Sequence, residues 1–280
     1  MEEISVNCID FDKQFEAYTR SWMAKNAKKY GNNMDLIEGM MPDVYMEFLE
    51  KPAAWLGGMT PSAYFEQFDD AKMLVEWMCA YYAQQVTVPD LLLERITALG
   101  EAAEACLLAL PFDEQAPHEA ALTAISLLRE MESTAPMQAY IDFIAALKEP
   151  DEKGDMCAEA LLGMGEAAVA PILAALPGAG DAGKDIFADI LSNYPGDERI
   201  FNLLMERFAS GEERRALYAS YLAKLGDERA LPALNDAAMA QEINYLDYIE
   251  IVNAIDALGG DRPPEREFAG DPYYESLKRV

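Results

Sequence analysis

The sequence predicts an all-α protein, a solenoid of short helical hairpins behind a helical N-terminal cap. Three observations predict it. Apolar residues recur at steps of three and four, as in Tyr245, Tyr248, Ile249, Val252, Ile255 and Leu258, which is the period of a helix with one buried face. No segment carries the apolar–polar alternation of a half-buried strand. Each helical run is soon cut, and the cuts recur: Gly100, Gly165, Gly196, Gly226 and Gly259 stand 65, 31, 30 and 33 residues apart. Spacing of this kind marks stacked repeats.

Residues 1–87 stand outside the repeat. The pattern predicts a helix from Asp10 to Tyr30, stopped by Gly31-Asn32-Asn33, then one or two helices between Met34 and Lys51. Leu56-Gly57-Gly58-Met59-Thr60-Pro61 is a turn feeding a helix, with Thr60 as N-cap and Pro61 in the first helical position. Asp69-Asp70 opens a long helix through Tyr82. Trp22, Trp55 and Trp77 all fall here, so this portion should own an aromatic core and pack as an enlarged cap.

Residues 88–260 carry the repeat. The long step of 65 residues spans two periods, with Ser133 where a glycine would fall. Positions +4, +7, +8 and +11 from each anchor are Met137, Tyr140, Ile141 and Ile144 after Ser133, and Val169, Ile172, Leu173 and Leu176 after Gly165. They are Ile200, Leu203, Leu204 and Arg207 after Gly196, and Ala230, Ala233, Leu234 and Ala237 after Gly226. One buried stripe is rewritten in each unit, with Arg207 its clearest departure. Ile172, Leu173, Leu203, Leu204 and Leu234 are therefore expected in the core. Glycine at the turn accepts the left-handed conformation that ends the first helix, and the acid that follows caps the second. Past Gly260, Arg262-Pro263-Pro264 breaks the next helix. Tyr273, Tyr274 and Leu277 are left in a tail, 261–280, to cover the last hairpin.

The segments Met-Gly-Glu-Ala-Ala-Val-Ala-Pro-Ile-Leu from Met164 and Leu-Gly-Asp-Glu-Arg-Ala-Leu-Pro-Ala-Leu from Leu225 resemble HEAT-like repeats of the bilin-lyase type. The resemblance implies a HEAT-like α-α superhelix for residues 88–260, with the first helices on its convex side. It says little about function, because scaffolds, lyases and repair proteins share the repeat. Trp55–Pro61 also resembles the turn of antitoxins with a toxin-binding domain, over that short segment alone.

Composition narrows the function. The 280 residues hold 22 Lys+Arg against 50 Asp+Glu, a net charge of −28, with 51% hydrophobic residues. Such a surface repels polyphosphate and anionic lipid, so neither nucleic acid nor membrane is expected as a partner. Cys8, Cys79, Cys106 and Cys157 are widely spaced without a CxxC pair, which fits a reducing compartment. Met1-Glu2-Glu3-Ile4 lacks the basic start and apolar run of a signal peptide, and a cytoplasmic location is expected.

The same inventory yields no catalytic, cofactor or metal residues. His118 is the only histidine, which cannot supply the His-Glu pairs that HEAT-like hydroxylases use for iron. Asp69-Asp70, Asp151-Glu152, Glu212-Glu213 and Asp227-Glu228 lie at helix starts, where acids cap and complement the dipole. Arg20, Lys25, Lys28 and Lys29 form a basic face on the first helix. The expected function is a non-enzymatic protein-interaction scaffold, with a chromophore- or ligand-handling enzyme of the bilin-lyase group as alternative and a DNA-repair HEAT protein behind it. The candidate partner surface is the outer strip of the second helices, Asp142, Asn202, Met205, Glu206, Asn235 and Asp236, suited to a basic protein segment.

Overall fold

The structure, a computed structural model, describes residues 8–30, 33–210 and 214–277. Among these residues every regular element is helical and no strand occurs. The chain divides into two compact units, residues 1–136 and 137–280.

The first unit holds α1 (Phe11–Asn26), α2 (Met34–Glu38), α3 (Met41–Leu49), α4 (Ala71–Ala83), α5 (Asp90–Ala98), α6 (Glu101–Leu107) and α7 (His118–Glu130). Helix α1 passes into a 3₁₀ turn, Ala27–Tyr30. Asn33 then caps α2, its side chain accepting from the Asp35 and Leu36 amides at 3.1 and 3.4 Å. Phe15 packs edge-on to Tyr45 at 5.0 Å and lies 5.3 Å from Phe48, which joins α1 to α3. The Trp77 ring is surrounded by Tyr64, Phe65 and Phe68 at 6.1, 5.3 and 5.3 Å. Leu74, Met78 and Tyr81 of α4 share one buried core with Leu92, Ile96, Leu107 and Leu128, so the tryptophan-bearing segment and the first hairpins pack as one body.

The helix expected from Pro61 is not formed. Thr60 does cap, accepting from the Ala63 amide at 3.3 Å, but only a turn and the 3₁₀ segment Phe65–Gln67 follow. Phe68 is extended, and its carbonyl accepts from Arg95 Nε at 3.0 Å. That tertiary bond takes an acceptor the next helical turn would need. Asp70 restarts the chain as N-cap of α4.

The second unit holds α8 (Met137–Ala146), α9 (Glu152–Gly163), α10 (Val169–Ala175), α11 (Asp181–Leu191), α12 (Glu198–Ser210), α13 (Arg215–Leu225), α14 (Leu231–Ala238), α15 (Tyr245–Ala257) and α16 (Pro272–Leu277). The turns between first and second helices share one backbone device. Gly100, Gly165, Gly196, Gly226 and Gly259 all have positive φ. The remaining turn departs from expectation: the left-handed residue there is Glu132, φ +53°, and not Ser133. Ser133 acts one step later. Its hydroxyl accepts from the Ala135 amide at 3.2 Å and bonds the Glu104 carboxylate.

Gly-Asp-Glu-Arg occurs at 196–199 and again at 226–229, and both copies fold alike. Asp197 accepts from the Arg199 amide at 2.8 Å and Asp227 from the Arg229 amide at 3.0 Å. Each carboxylate also pairs with the guanidinium of its own arginine at 2.6 Å. Hydrogen bonds from the Arg199 side chain and amide hold the Asp197 carboxyl at about 2. Arg229 reaches further, to Glu198 of the previous turn at 3.0 Å and over the Phe201 ring at 4.1 Å.

The buried stripe is narrower than the sequence implies. Ala168, Ile172 and Leu176 are buried, as are Ile200, Leu204 and Phe208, and Ala230, Leu234 and Ala238. Each row advances by four residues. Leu173 and Leu203, expected in the core, are only half-buried. A row at i, i+4, i+8 is the ridge that enters a neighbour's groove, and the residue beside it stays at the flank.

Helix α11 approaches α8 at backbone distance. The Gly180 amide donates to the Ala145 carbonyl at 3.0 Å. A Cβ on Gly180 would stand 2.6 Å from the Leu147 carbonyl oxygen, and one on Gly183 would fall inside contact distance of the Ile144 oxygen. At the other end, Phe268 is buried against Tyr245 and Tyr248, with ring centroids 5.3 and 4.9 Å away. Arg266 donates to the Ala238 and Ala240 carbonyls at 3.1 and 2.8 Å, tying the tail to the end of α14. Of the three residues expected as the tail's anchors, Tyr274 packs, its ring 4.9 Å from Tyr245 and 5.7 Å from Phe268, whereas Tyr273, 6.1 Å from the Tyr245 ring, and Leu277 are each 48% exposed. Phe268 takes the most buried apolar site of the tail.

Gly183→Ala forces a methyl against a backbone oxygen that no rotamer change can move; it should cost at least about 1–3 kcal/mol in chemical denaturation. Glu132→Gly removes the left-handed strain of an exposed non-glycine residue and should raise stability by about 0.5–1 kcal/mol in the same assay.

Candidate functional site

The second unit contains a cleft of about 720 Å³ on the side of its first helices. Three helices build it, each presenting a stripe at helical spacing. Helix α9 contributes Asp155, Ala158, Glu159 and Leu162; α11 contributes Ala182, Asp185, Ile186, Asp189 and Ile190; Arg214, Leu217 and Tyr221 come from the start and body of α13. Lys148, Glu149 and Pro150 of the preceding loop complete the lining. A cleft of this size lies within the roughly 300–1,000 Å³ range of ligand sites.

The wall between α11 and α13 is held by polar groups. Asp185 is the hub: it pairs with Arg214, accepts from the Tyr218 hydroxyl at 2.6 Å and lies 3.7 Å from Arg207. Tyr218 is buried, and its oxygen also accepts from Arg207 Nε at 3.1 Å. Asp181 lies 3.6 Å from the same arginine. Burial opposes the Arg207 charge, but the bond it donates to Tyr218 and the nearby Asp181 outweigh it and hold the guanidinium above its usual range. Four residues beyond Asp185 on α11, Asp189 pairs with Lys224 of α13 at 2.8 Å, which ties the far end of α11 to α13. Arg207, the residue that broke the apolar stripe, is therefore the ionic link from α12 to this hub. An arginine in an otherwise apolar register was the signal in the sequence, and its partners were not readable there.

The lining combines carboxylates with aliphatic surface. Asp155, Glu159 and Asp189 are exposed, and Leu162 and Leu217 are 40% and 37% exposed. Tyr221 stands between these classes: burial first, then the Asp189 charge, pushes its hydroxyl up, so it is a neutral donor. Among the described residues no group of three or more His, Cys, Asp or Glu side chains is disposed to hold a metal ion. Cys157, in α9, is fully buried and desolvation pushes its thiol up to about 12, which removes it as a nucleophile at neutral pH.

The residues singled out in the sequence lie on a different face. Asp142 is exposed on α8, where it accepts from Gln138 at 2.8 Å. Asn202 and Glu206 are exposed on α12, and Asp236 on α14. Met205 and Asn235 are half-buried, and the Asn235 amide is spent on the Leu231 carbonyl at 2.9 Å. They lie on the second helices, and none of them lines the cleft. His118 stands exposed in the first turn of α7. The acids at helix starts do cap: Asp151 accepts from the Gly154 amide at 3.1 Å, as Asp70 and Asp227 do at their own helices. Glu212 and Glu213 lie outside the described residues. No described helix is long and apolar enough to cross a membrane.

Asp185→Ala would leave Arg207, Arg214 and the buried Tyr218 hydroxyl without their shared acceptor. A loss of about 1–3 kcal/mol is expected in denaturant midpoint measurements, since an orphaned buried donor costs its desolvation. Comparison with models of known protein families and with curated proteins finds no match to this chain.

Proposed function

We propose that this chain is a HEAT-like repeat protein, an α-α superhelix with a helical N-terminal cap, that acts as a non-enzymatic scaffold for a basic protein partner. The recurrence of left-handed turns at 100, 132, 165, 196, 226 and 259 supports the repeat reading. So do the two equivalent Gly-Asp-Glu-Arg turns. The scaffold reading is carried by one observation, the cleft in which exposed carboxylates and exposed leucines share one lining. Interfaces combine an apolar centre with a polar rim, and complementary charge steers encounter. The excess of acid disfavours duplex DNA, whose phosphates it repels. The cytoplasm is the compartment this reading assumes.

A second reading has an observation of its own. Asp185, Arg214 and Tyr221 converge on the cleft, as a site for a small ligand or chromophore of the bilin-lyase kind would require. Absorbance and native mass spectrometry of the purified protein separate the two, since a carried chromophore gives visible colour and added mass. For the scaffold reading the test is affinity purification from the native host. Wild type should retain a basic protein that Asp155→Lys/Glu159→Lys loses by at least about tenfold, a repulsion of like charges at the rim. Glu206→Lys/Asp236→Lys serves as the comparison on the second helices. Absence of any specific partner with all three forms would defeat the scaffold reading.

A further inference from the structure

We infer that the first unit binds a trimethylammonium group in a pocket between the start of α1, α3 and the start of α5, where aromatic rings enclose the methyl groups and two carboxylates meet the charge. The pocket is separate from the cleft and the inference goes beyond the scaffold reading, so neither stands or falls with the other. Three observations carry it.

The pocket is small and walled by rings. It holds about 80 Å³ and is lined by Phe11 and Phe15 of α1 and by Tyr45 and Phe48 of α3. One water needs about 10–15 Å³ and a drug-sized ligand about 300 Å³ or more, so the space suits a group of a few heavy atoms. The rings do not form one stack: Phe15 stands at 81° to Tyr45 and at 53° to Phe48, with centroids 5.0 and 5.3 Å away. Walls turned through such angles enclose a cation, which a ring face attracts within about 6 Å of its centroid. Three of the four rings are phenylalanine and offer no acceptor to an N–H, and a quaternary ammonium has no N–H to satisfy.

The charge of the lining has one sign. Asp12 of α1 and Asp90 of α5 complete it, both exposed, and among the described residues no Lys, Arg or His lines the pocket. Both acids stand in first turns, where a carboxylate complements the helix dipole, but neither is an N-cap. Asp10 caps α1, accepting from the Lys13 amide at 2.9 Å, and Pro89 precedes α5. Cations nearby in the chain are engaged elsewhere: Lys13 pairs with Asp10 at 2.6 Å, Lys51 stands over the Tyr18 ring at 4.8 Å, and Arg95 pairs with Asp69. Finally, Tyr45 joins the two features. Its ring is 37% exposed. Burial first, then the charges of Asp90, Asp12 and Glu94, push its hydroxyl up, so three carboxylates act on one aromatic wall.

The probes are choline and N-acetyl-trimethyl-lysine amide, each titrated against the full-length protein by isothermal calorimetry. At least one should bind with a Kd below about 1 mM. Tighter binding of choline makes the source a free small molecule, and tighter binding of the lysine derivative makes it a methylated protein side chain. For the tighter probe, the neutral analogue with carbon in place of the nitrogen and the unmethylated amine should each bind about tenfold more weakly or worse. Tyr45→Leu and Asp12→Asn/Asp90→Asn should each weaken the probe by about fivefold or more. Asp155→Lys/Glu159→Lys in the second unit should leave it unchanged at about 0.15 M salt, where charge beyond about 8 Å is screened. The analogues are compared on unaltered protein, so the result survives if a variant misfolds. Equal binding of the neutral analogue or of the unmethylated amine, equal binding by the aspartate variant, or no binding of either probe up to about 10 mM each overturns the inference.

Discussion

The backbone contact between α11 and the end of α8 sets the position of much that follows it. Gly180 and Gly183 let α11 begin against the carbonyls of residues 144–147, with an amide of one segment bonded to the other at 3.0 Å. Side chains can rotate away from a crowded neighbour, but a backbone carbonyl moves only with the chain that carries it. The approach therefore fixes the start of α11 in translation and rotation. Its outer stripe, with Asp185 and Asp189, is aimed by that contact, and the cleft is the space it leaves toward α9 and α13.

Two kinds of junction coexist in the second unit. Where α13 meets α15, small and aliphatic residues pack directly: Ala219, Leu222, Ile251, Val252 and Ile255 are buried. Where α11 meets α12 and α13, Asp185, Arg207, Arg214 and Tyr218 form a partly solvated network. Apolar packing favours the closest approach that sterics allow. A network of long charged side chains instead favours the separation at which its bonds are linear. The first junction closes, and the second stands open as a groove.

Much of this was legible in the residues. Gly165, Gly196, Gly226 and Gly259 mark turns because an L-residue with a side chain is strained at positive φ. Glu132 shows the limit of that inference. The period required a left-handed residue near 133, but the strain at Glu132 is tolerated because the surrounding helices define the turn, and glycine is then only the preferred occupant. Ser133, standing where a glycine would fall, instead accepts from the Ala135 amide in the turn that leads to the next helix. The site was less legible. Asp142, Asn202, Glu206 and Asp236 read as outward positions, and they are outward; exposure alone does not place residues of different helices around one cavity.

By itself, the sequence determined the helical class, the turn positions within a residue, the acid caps and the surplus of negative charge, because each depends on neighbours within a turn or two along the chain. Tertiary structure alone decided which row of each apolar stripe is covered, so that Leu204 is buried and Leu203 is not. It also chose Phe268 over Tyr273 as the tail's anchor, and joined Arg207 to Asp185 across two helices. Periodicity states which face of a helix is apolar. It does not state how near the next helix comes, and that distance is set by contacts such as Gly183 on Ile144 between residues far apart in the chain. The cleft exists because of those distances, so it belongs to the fold and not to any one segment.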